Sequence, residues 1–320
     1  MRKTITGLLA NILCVAMLAQ SKDFEGVAVY KVDITSKTEG VKDKIWKTML
    51  ALGDSVVVFI KQGNYKRSSG MSDEYQISKD EKAYLKFKGI DTLFYVDYSS
   101  DTTGLVNVLK TGEQKNIMGF ECKSINITTP SSTTKYFFSP SLHLNPEYDK
   151  NNKIGRYDVY TKETESVWLA QYEENKSYAL SQTCTRLEQK SIDETIFELP
   201  KLPQKKFSPE SVSKPPEFTR SGGWLKFLQV NLNAELGAKY IKIPKREETA
   251  SQTIMVIFLI NEFGKVLNAE VINKKEVHSK LAEEALRVVN SFPLWKPATI
   301  YGEKTIFWYK MPITFAVSKK

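Results

Sequence analysis

Histidine is almost absent from this 320-residue chain. The two that occur, His143 and His278, stand far apart, and neither has ligating or nucleophilic neighbours in sequence. Cys-x-x-Cys, His-Glu-x-x-His, Gly-x-Ser-x-Gly and a glycine-rich phosphate loop are also missing. The sequence therefore predicts no enzyme, no metal site and no cofactor. Cysteine is scarce, with residues only at 14, 122 and 184. Cys14 lies in an N-terminal apolar run, which leaves an even pair. A Cys122–Cys184 bridge would suit an oxidising compartment and would close a loop of roughly 60 residues. Two separately buried thiols are the other reading, because spacing alone does not bring the two Cα atoms within bridging distance. Long tracts of one charge are missing too. The net charge is +9, yet the lysines are scattered, and the basic clusters are no longer than Lys205-Lys206 or Lys245-Arg246. No nucleic-acid footprint is expected from that pattern.

One apolar run exists. Met1-Arg2-Lys3 is followed by the uncharged stretch Ile5–Ala19, and Gln20-Ser21-Lys22-Asp23 ends it. This is the layout of a secretory signal peptide over residues 1–20, with cleavage near Ala19 or Gln20. The run is shorter than the roughly 18 residues that cross a bilayer comfortably. An uncleaved inner-membrane anchor is the alternative. Both readings place the rest of the chain outside the cytoplasm, because Arg2 and Lys3 hold the N-terminus inside. Cys14 is not expected to be a lipoprotein acceptor, since bulky Leu13 precedes it and the apolar run continues beyond it.

At 41% hydrophobic and 26% charged residues, the remainder has ordinary globular composition. Residues 24–200 read as short strands at even spacing. Val27–Ile34 alternates apolar and polar side chains; Ser55–Ile60, Glu74–Ile77, Lys82–Phe87 and Asp91–Val96 follow. Cys122–Ile127, Thr134–Phe138, Ser166–Ala170, Lys176–Leu180 and Thr183–Leu187 continue the series, with no helical stripe of useful length between them. An all-β antiparallel sheet, curved or closed into a half-barrel, is predicted. Residues 201–217 are rich in proline and lysine and read as a linker in extended form.

Residues 218–320 predict an α+β domain: an antiparallel three-stranded sheet with two helices. Gly222-Gly223 opens an amphipathic helix bearing Trp224, Leu225, Phe227, Leu228 and Leu232. Thr253–Ile260 and Val266–Ile272 form a hairpin around the Asn261–Gly264 turn. Ser279–Phe292 is a second helix, with Leu281, Ala285, Leu286, Val289 and Phe292 inward and Glu283, Glu284, Arg287 and Asn290 in water. Pro293 stops it. The last strand, Thr305–Val317, alternates Phe307, Tyr309, Met311, Ile313 and Phe315 on one face. Pro312, on the opposite parity, cannot donate to a ladder and so marks an edge strand. The expected partner-binding edge is Thr305, Ile306, Phe307, Trp308, Tyr309, Lys310, Met311, Pro312 and Ile313. Its unpaired backbone groups would template an extended peptide.

Two resemblances sharpen this reading. Asn116–Lys123, Thr134–Pro140 and Ile196–Pro200 resemble the LolA-like periplasmic half-barrel domains and their secreted Bacteroidetes-type cousins. That likeness implies an open half-barrel over residues 24–200, holding a lipid or apolar ligand. The other reading is a concave face filled by its own side chains. Pro216-Glu-Phe218 with Gly222-Gly223, Phe258–Ile260 with Phe263–Val266, Glu284–Val289, Phe292–Pro297 and Met311–Phe315 are similar to the TonB C-terminal domain family. Gly222, Gly223, Gly264, Trp295, Pro297 and Phe315 are the structural carriers of this likeness. The segment Leu232–Ala238 departs from the family pattern. The resemblance implies a periplasmic energy transducer or adaptor. Its partner would be the TonB box of a TonB-dependent outer-membrane receptor, with inner-membrane motor proteins added if the N-terminus stays anchored. A periplasmic carrier of lipid or apolar ligands and a structural envelope protein are the alternatives.

Overall fold

The computed structural model describes residues 23–100 and 104–319. The predicted leader, with Cys14, Ala19 and Gln20, lies outside the described residues.

The N-terminal part contains β1 (Gly26–Ser36), α1 (Asp43–Met49), β2 (Ser55–Lys61), β3 (Asn64–Ser69), β4 (Ser72–Ile77), β5 (Lys82–Phe87) and β6 (Leu93–Asp97). It continues with β7 (Asn107–Ile117), β8 (Phe120–Thr128), β9 (Thr133–His143), α2 (Tyr157–Thr164), β10 (Ser166–Glu174) and β11 (Tyr178–Gln189). The connection to the C-terminal part carries β12 (Gln204–Lys206) and β13 (Ser213–Lys214). One 12-stranded sheet runs in the order β12-β6-β5-β4-β3-β2-β1-β11-β10-β9-β8-β7, curved and unclosed. Every pairing in it is antiparallel except β12 on β6.

Period-2 patterning explains the sheet. In β1, Tyr30, Val32 and Ile34 are buried while Lys31, Asp33 and Thr35 face out. The inner face is aromatic. Tyr30 lies tilted 4.1 Å from Trp168 and donates its hydroxyl to the Trp168 carbonyl, and Tyr136 lies 4.6 Å from Tyr160 of α2. Sequence periodicity had no purchase on α1 and α2, which are short and held by tertiary contacts: Trp46 of α1 packs 5.1 Å from Tyr178, and Tyr157 of α2 meets Tyr65 edge-on. Cys122 and Cys184 are both free and buried, so no bridge joins them. Burial pushes both thiols up, that of Cys184 to about 11.

The predicted linker is not a free spacer. Leu93 N–H donates to the Pro203 carbonyl, Gln204–Lys206 pairs parallel to Leu93–Tyr95, and Phe207 N–H donates to the Tyr95 carbonyl. Prolines lack a donor, but their carbonyls still accept. The apolar residues between them bury: Phe207 packs about 6 Å from Phe87 and Phe94.

The C-terminal part contains α3 (Gly223–Asn231), α4 (Glu235–Tyr240), β14 (Thr249–Ile260), β15 (Val266–Val271), α5 (Ser279–Asn290), β16 (Thr299–Ile300), β17 (Glu303–Lys304) and β18 (Phe307–Ser318). Its sheet is β15-β14-β18, and Phe227 and Leu228 of α3 join the α5 stripe over one face. Leu225 instead stands in solvent. The third helix, α4, falls in the segment that departs from the family pattern. Glu284, expected in water, is buried. Its carboxylate accepts two 2.7 Å bonds from Arg287 and one from Asn233 N–H, which satisfies the charge. The two parts share a core: Leu259 and Ile306 bury among N-terminal residues, and Tyr301 stacks 4.2 Å from Phe87.

Candidate partner-binding edge

The open strand is built by backbone parity. Met255 of β14 pairs opposite Pro312 of β18. Its N–H donates to the Asn273 side chain, and its carbonyl accepts from Ile272 N–H, so both of its polar groups turn toward the β15 side. In an antiparallel pair, a residue's N–H and C=O point to the same side, and opposed residues either exchange both bonds or neither. Pro312 therefore turns its backbone away from β14. The pairing from Thr249–Ser318 to Ile260–Phe307 runs without a register shift, so the alternation propagates along the strand. Trp308, Lys310, Thr314 and Ala316 aim N–H and C=O at open space, and Pro312 offers a carbonyl alone. Phe307, Tyr309, Met311, Ile313 and Phe315 bond back to β14. Among the described residues, β14 is the strand paired with β18 on one side and nothing pairs with it on the other.

The odd-numbered side chains anchor the strand. Met311, Ile313 and Phe315 are fully buried, and Tyr309 stacks on Phe258 at 5.6 Å beside Trp295. The first third of the edge carries exposed aromatics, Phe307 and Trp308. Toward the far end α4 lies against the strand, with Gly237 beside Phe315 and Val317.

The sequence-predicted site residues fall into three groups. Phe307, Trp308, Tyr309, Lys310, Met311, Pro312 and Ile313 are on the open strand. Thr305 and Ile306 are not: both precede β18 and are buried, and Thr305 N–H donates to the Ala298 carbonyl. Ile306 is drawn inward because the neighbouring N-terminal core takes its side chain, which sequence alternation cannot register. The structural carriers lie away from the edge backbone or beneath it. Gly222 and Gly223 adopt φ of 84° and 70° at the start of α3. Gly264 adopts φ 82°, and a Cβ there would lie 1.8 Å from the Trp295 carbonyl oxygen. Trp295 and Phe315 are core residues, and Pro297 follows the Glu217–Lys296 bridge. The outward amides of Thr314 and Ala316 extend the edge beyond the predicted residues. Pro312 was the sequence signal for them, since its parity marks every outward position.

Of the two histidines, His278 caps α5 by accepting from Lys280 N–H and stacks on Tyr240, while His143 lies 3.6 Å from Asp23. Among the described residues, no cluster of three or more metal-ligating side chains converges, and no helix is long and apolar enough to cross a membrane.

Fold and edge together define a small α+β module with an unpartnered last strand, set beside a curved antiparallel sheet. Residues 245–317 of that module match the family described as Gram-negative bacterial TonB protein C-terminal. No protein of curated function matches the chain. Among solved structures, PNGF-II is similar at TM-score 0.35 and 9% identity, over 73% of this chain and 42% of that one, so the chain spans less than half its length. The Mycobacterium tuberculosis lipoprotein LppX is similar at TM-score 0.28 and 11% identity, over 53% of this chain and 89% of LppX. LprF from Mycobacterium bovis is similar at TM-score 0.22 and 9% identity, over 51% and 85%.

Proposed function

We propose that this is an exported, non-enzymatic envelope protein. Its TonB-like domain grips a TonB-box peptide of an outer-membrane receptor by adding it as a strand to β18. The observation that carries this reading is the one-sided pairing of β18, with the backbone groups of four residues plus the Pro312 carbonyl turned outward. Unpaired strand edges recruit extended chains through main-chain hydrogen bonds, while side-chain pockets add selectivity. Exposed Phe307 and Trp308 offer apolar contact at one end. The hollow of the half-barrel gives little support to a lipid carrier. Tyr30, Tyr136, Tyr160 and Trp168 occupy much of it, and the two adjoining cavities beside Tyr136, of about 230 Å³ and 440 Å³, carry Arg67 and Glu74 in the one wall and Lys153, Arg156 and Glu173 in the other. Force transmission would need the N-terminal segment to persist as an inner-membrane anchor; an intact Met1 in membrane fractions by mass spectrometry would support the transducer over the adaptor.

The test uses parity. Lys310→Pro removes an outward N–H and leaves the β14 ladder intact. It should weaken a TonB-box peptide by about tenfold in calorimetric titration, given ~1 kcal/mol per net hydrogen bond plus lost neighbours. Lys310→Ala controls for the side chain and should bind nearly as the parent does. Undiminished affinity in folded Lys310→Pro removes the proposal.

A further inference from the structure

A second surface lies on the outer face of the large sheet, opposite the aromatic hollow and remote in sequence from β18. Asp33 and Thr35 belong to it; they alternate with the inward Val32 and Ile34, which fixes the side. Its far wall comes from β7. That strand shifts register between Lys110 and Gln114, with Gly112 at φ 74°, and its later side chains reach back across β8. Glu113 pairs with Lys135 of β9 at 2.7 Å. Lys115 reaches the Tyr172 hydroxyl of β10 at 3.0 Å, with its ammonium 5.6 Å and 5.4 Å from the Phe137 and Tyr172 ring centres. The space between wall and sheet is a groove of about 670 Å³, well within the range of roughly 300–1,000 Å³ for small-molecule sites. Asn126 also lines it, and the buried Asn126 Oδ1 has no hydrogen-bond partner.

The lining selects a ligand by elimination. An acyl chain would leave five charged side chains, those of Asp33, Glu113, Lys115, Lys135 and Glu174, without water. A simple anion would face the carboxylates of Asp33, Glu113 and Glu174. A simple cation would meet the ammonium groups of Lys115 and Lys135 in the lining. A neutral ring bearing many hydroxyls meets neither obstacle. Its hydroxyls donate to carboxylates and accept from Lys115, and its C–H face lies on the half-buried Tyr172 ring. We propose that this groove binds a neutral saccharide.

The full chain is titrated with maltotriose, cellotriose and tri-N-acetylchitotriose by saturation-transfer NMR and calorimetry, with hexanoate and tetramethylammonium as charged controls. At least one trisaccharide should bind with a dissociation constant of about 1 mM or tighter, and Tyr172→Ala should weaken it about tenfold. Tyr172 is half-buried, so the exposed-residue variants Lys115→Met and Glu113→Gln, which carry no folding risk of that kind, should each weaken it measurably too. Lys310→Pro should leave saccharide binding unchanged, which separates this site from the strand edge. Absence of binding by all three sugars at about 10 mM, equal binding by Lys115→Met and Glu113→Gln, or tighter binding of either charged control would each overturn the proposal.

Discussion

Asp149 is a carboxyl buried in the N-terminal part. It is 1% exposed, its Oδ2 accepts from the Tyr65 hydroxyl at 2.9 Å, and its Oδ1 is unpartnered. Burial dominates and pushes the carboxyl up to about 7, against the opposing hydrogen bonds from Tyr65 and Asn152. The folded state thus holds this proton more tightly than the unfolded chain does, whose carboxyl titrates near 3.9. The associated stability is fully present below about pH 4 and is lost as pH rises through about 7. Asp149→Asn keeps an acceptor for Tyr65 and removes the charge. Its melting temperature should exceed the parent's at about pH 8 and show a smaller drop between about pH 4 and 8 by calorimetry; identical pH profiles would contradict this account.

At the scale of elements, one turn and one strand edge decide the C-terminal module. The β14–β15 hairpin closes against Trp295: Trp295 N–H donates to the Gly264 carbonyl at 2.8 Å, and the Trp295 carbonyl sits where a Cβ on Gly264 would be. Backbone cannot yield as a side-chain tip can. Gly264→Ala should therefore cost more than about 2 kcal/mol, from positive φ combined with a direct clash, as read by urea unfolding. A near-neutral result would mean the hairpin moves freely relative to Trp295. The β18 edge depends on the same logic of fixed backbone. Proline is harmless at position 312 because that N–H has nowhere to bond. One residue either way, at Met311 or Ile313, it would break the module's own ladder.

At the scale of the molecule, the proline-rich connection acts as a strap. Phe207 and the stacked Phe87–Tyr301 pair tie β12, the half-barrel and the TonB-like module into one packed body. Phe207→Ala should loosen residues 201–217, seen as faster limited proteolysis there, with peptide binding at β18 retained. Unchanged cleavage would show that the backbone pairing alone holds the strap. The docking also turns β15 toward the turn near Gly40, where Asn268 donates to the Glu39 carbonyl, so the two edges of the small sheet are not equivalent.

Alternation of apolar residues set most strands, and it does so locally: each pleat exposes its neighbour's opposite face regardless of distant contacts. Pro312 marked the edge by the same local rule, because a missing donor is a property of one residue. Helix α5 was legible in its 3.6-residue stripe, which passed over the buried Ala282 and Val288 and placed in water Glu284, whose burial depends on Arg287 and the distant Asn233 amide. Helices α1 and α2 were not legible, being too short to be stable without the aromatic rings they pack against. Nor was the fate of the linker, where Phe207 finds Phe87 and Phe94 more than a hundred residues earlier in the chain. The sequence alone determined the period, the breakers and the edge, since those are written in single residues and their near neighbours. Only the tertiary structure decided which thiols stay apart, which carboxylates are buried and where the linker lies, because burial and pairing across the sheet are set by contacts between residues that the chain order keeps far apart.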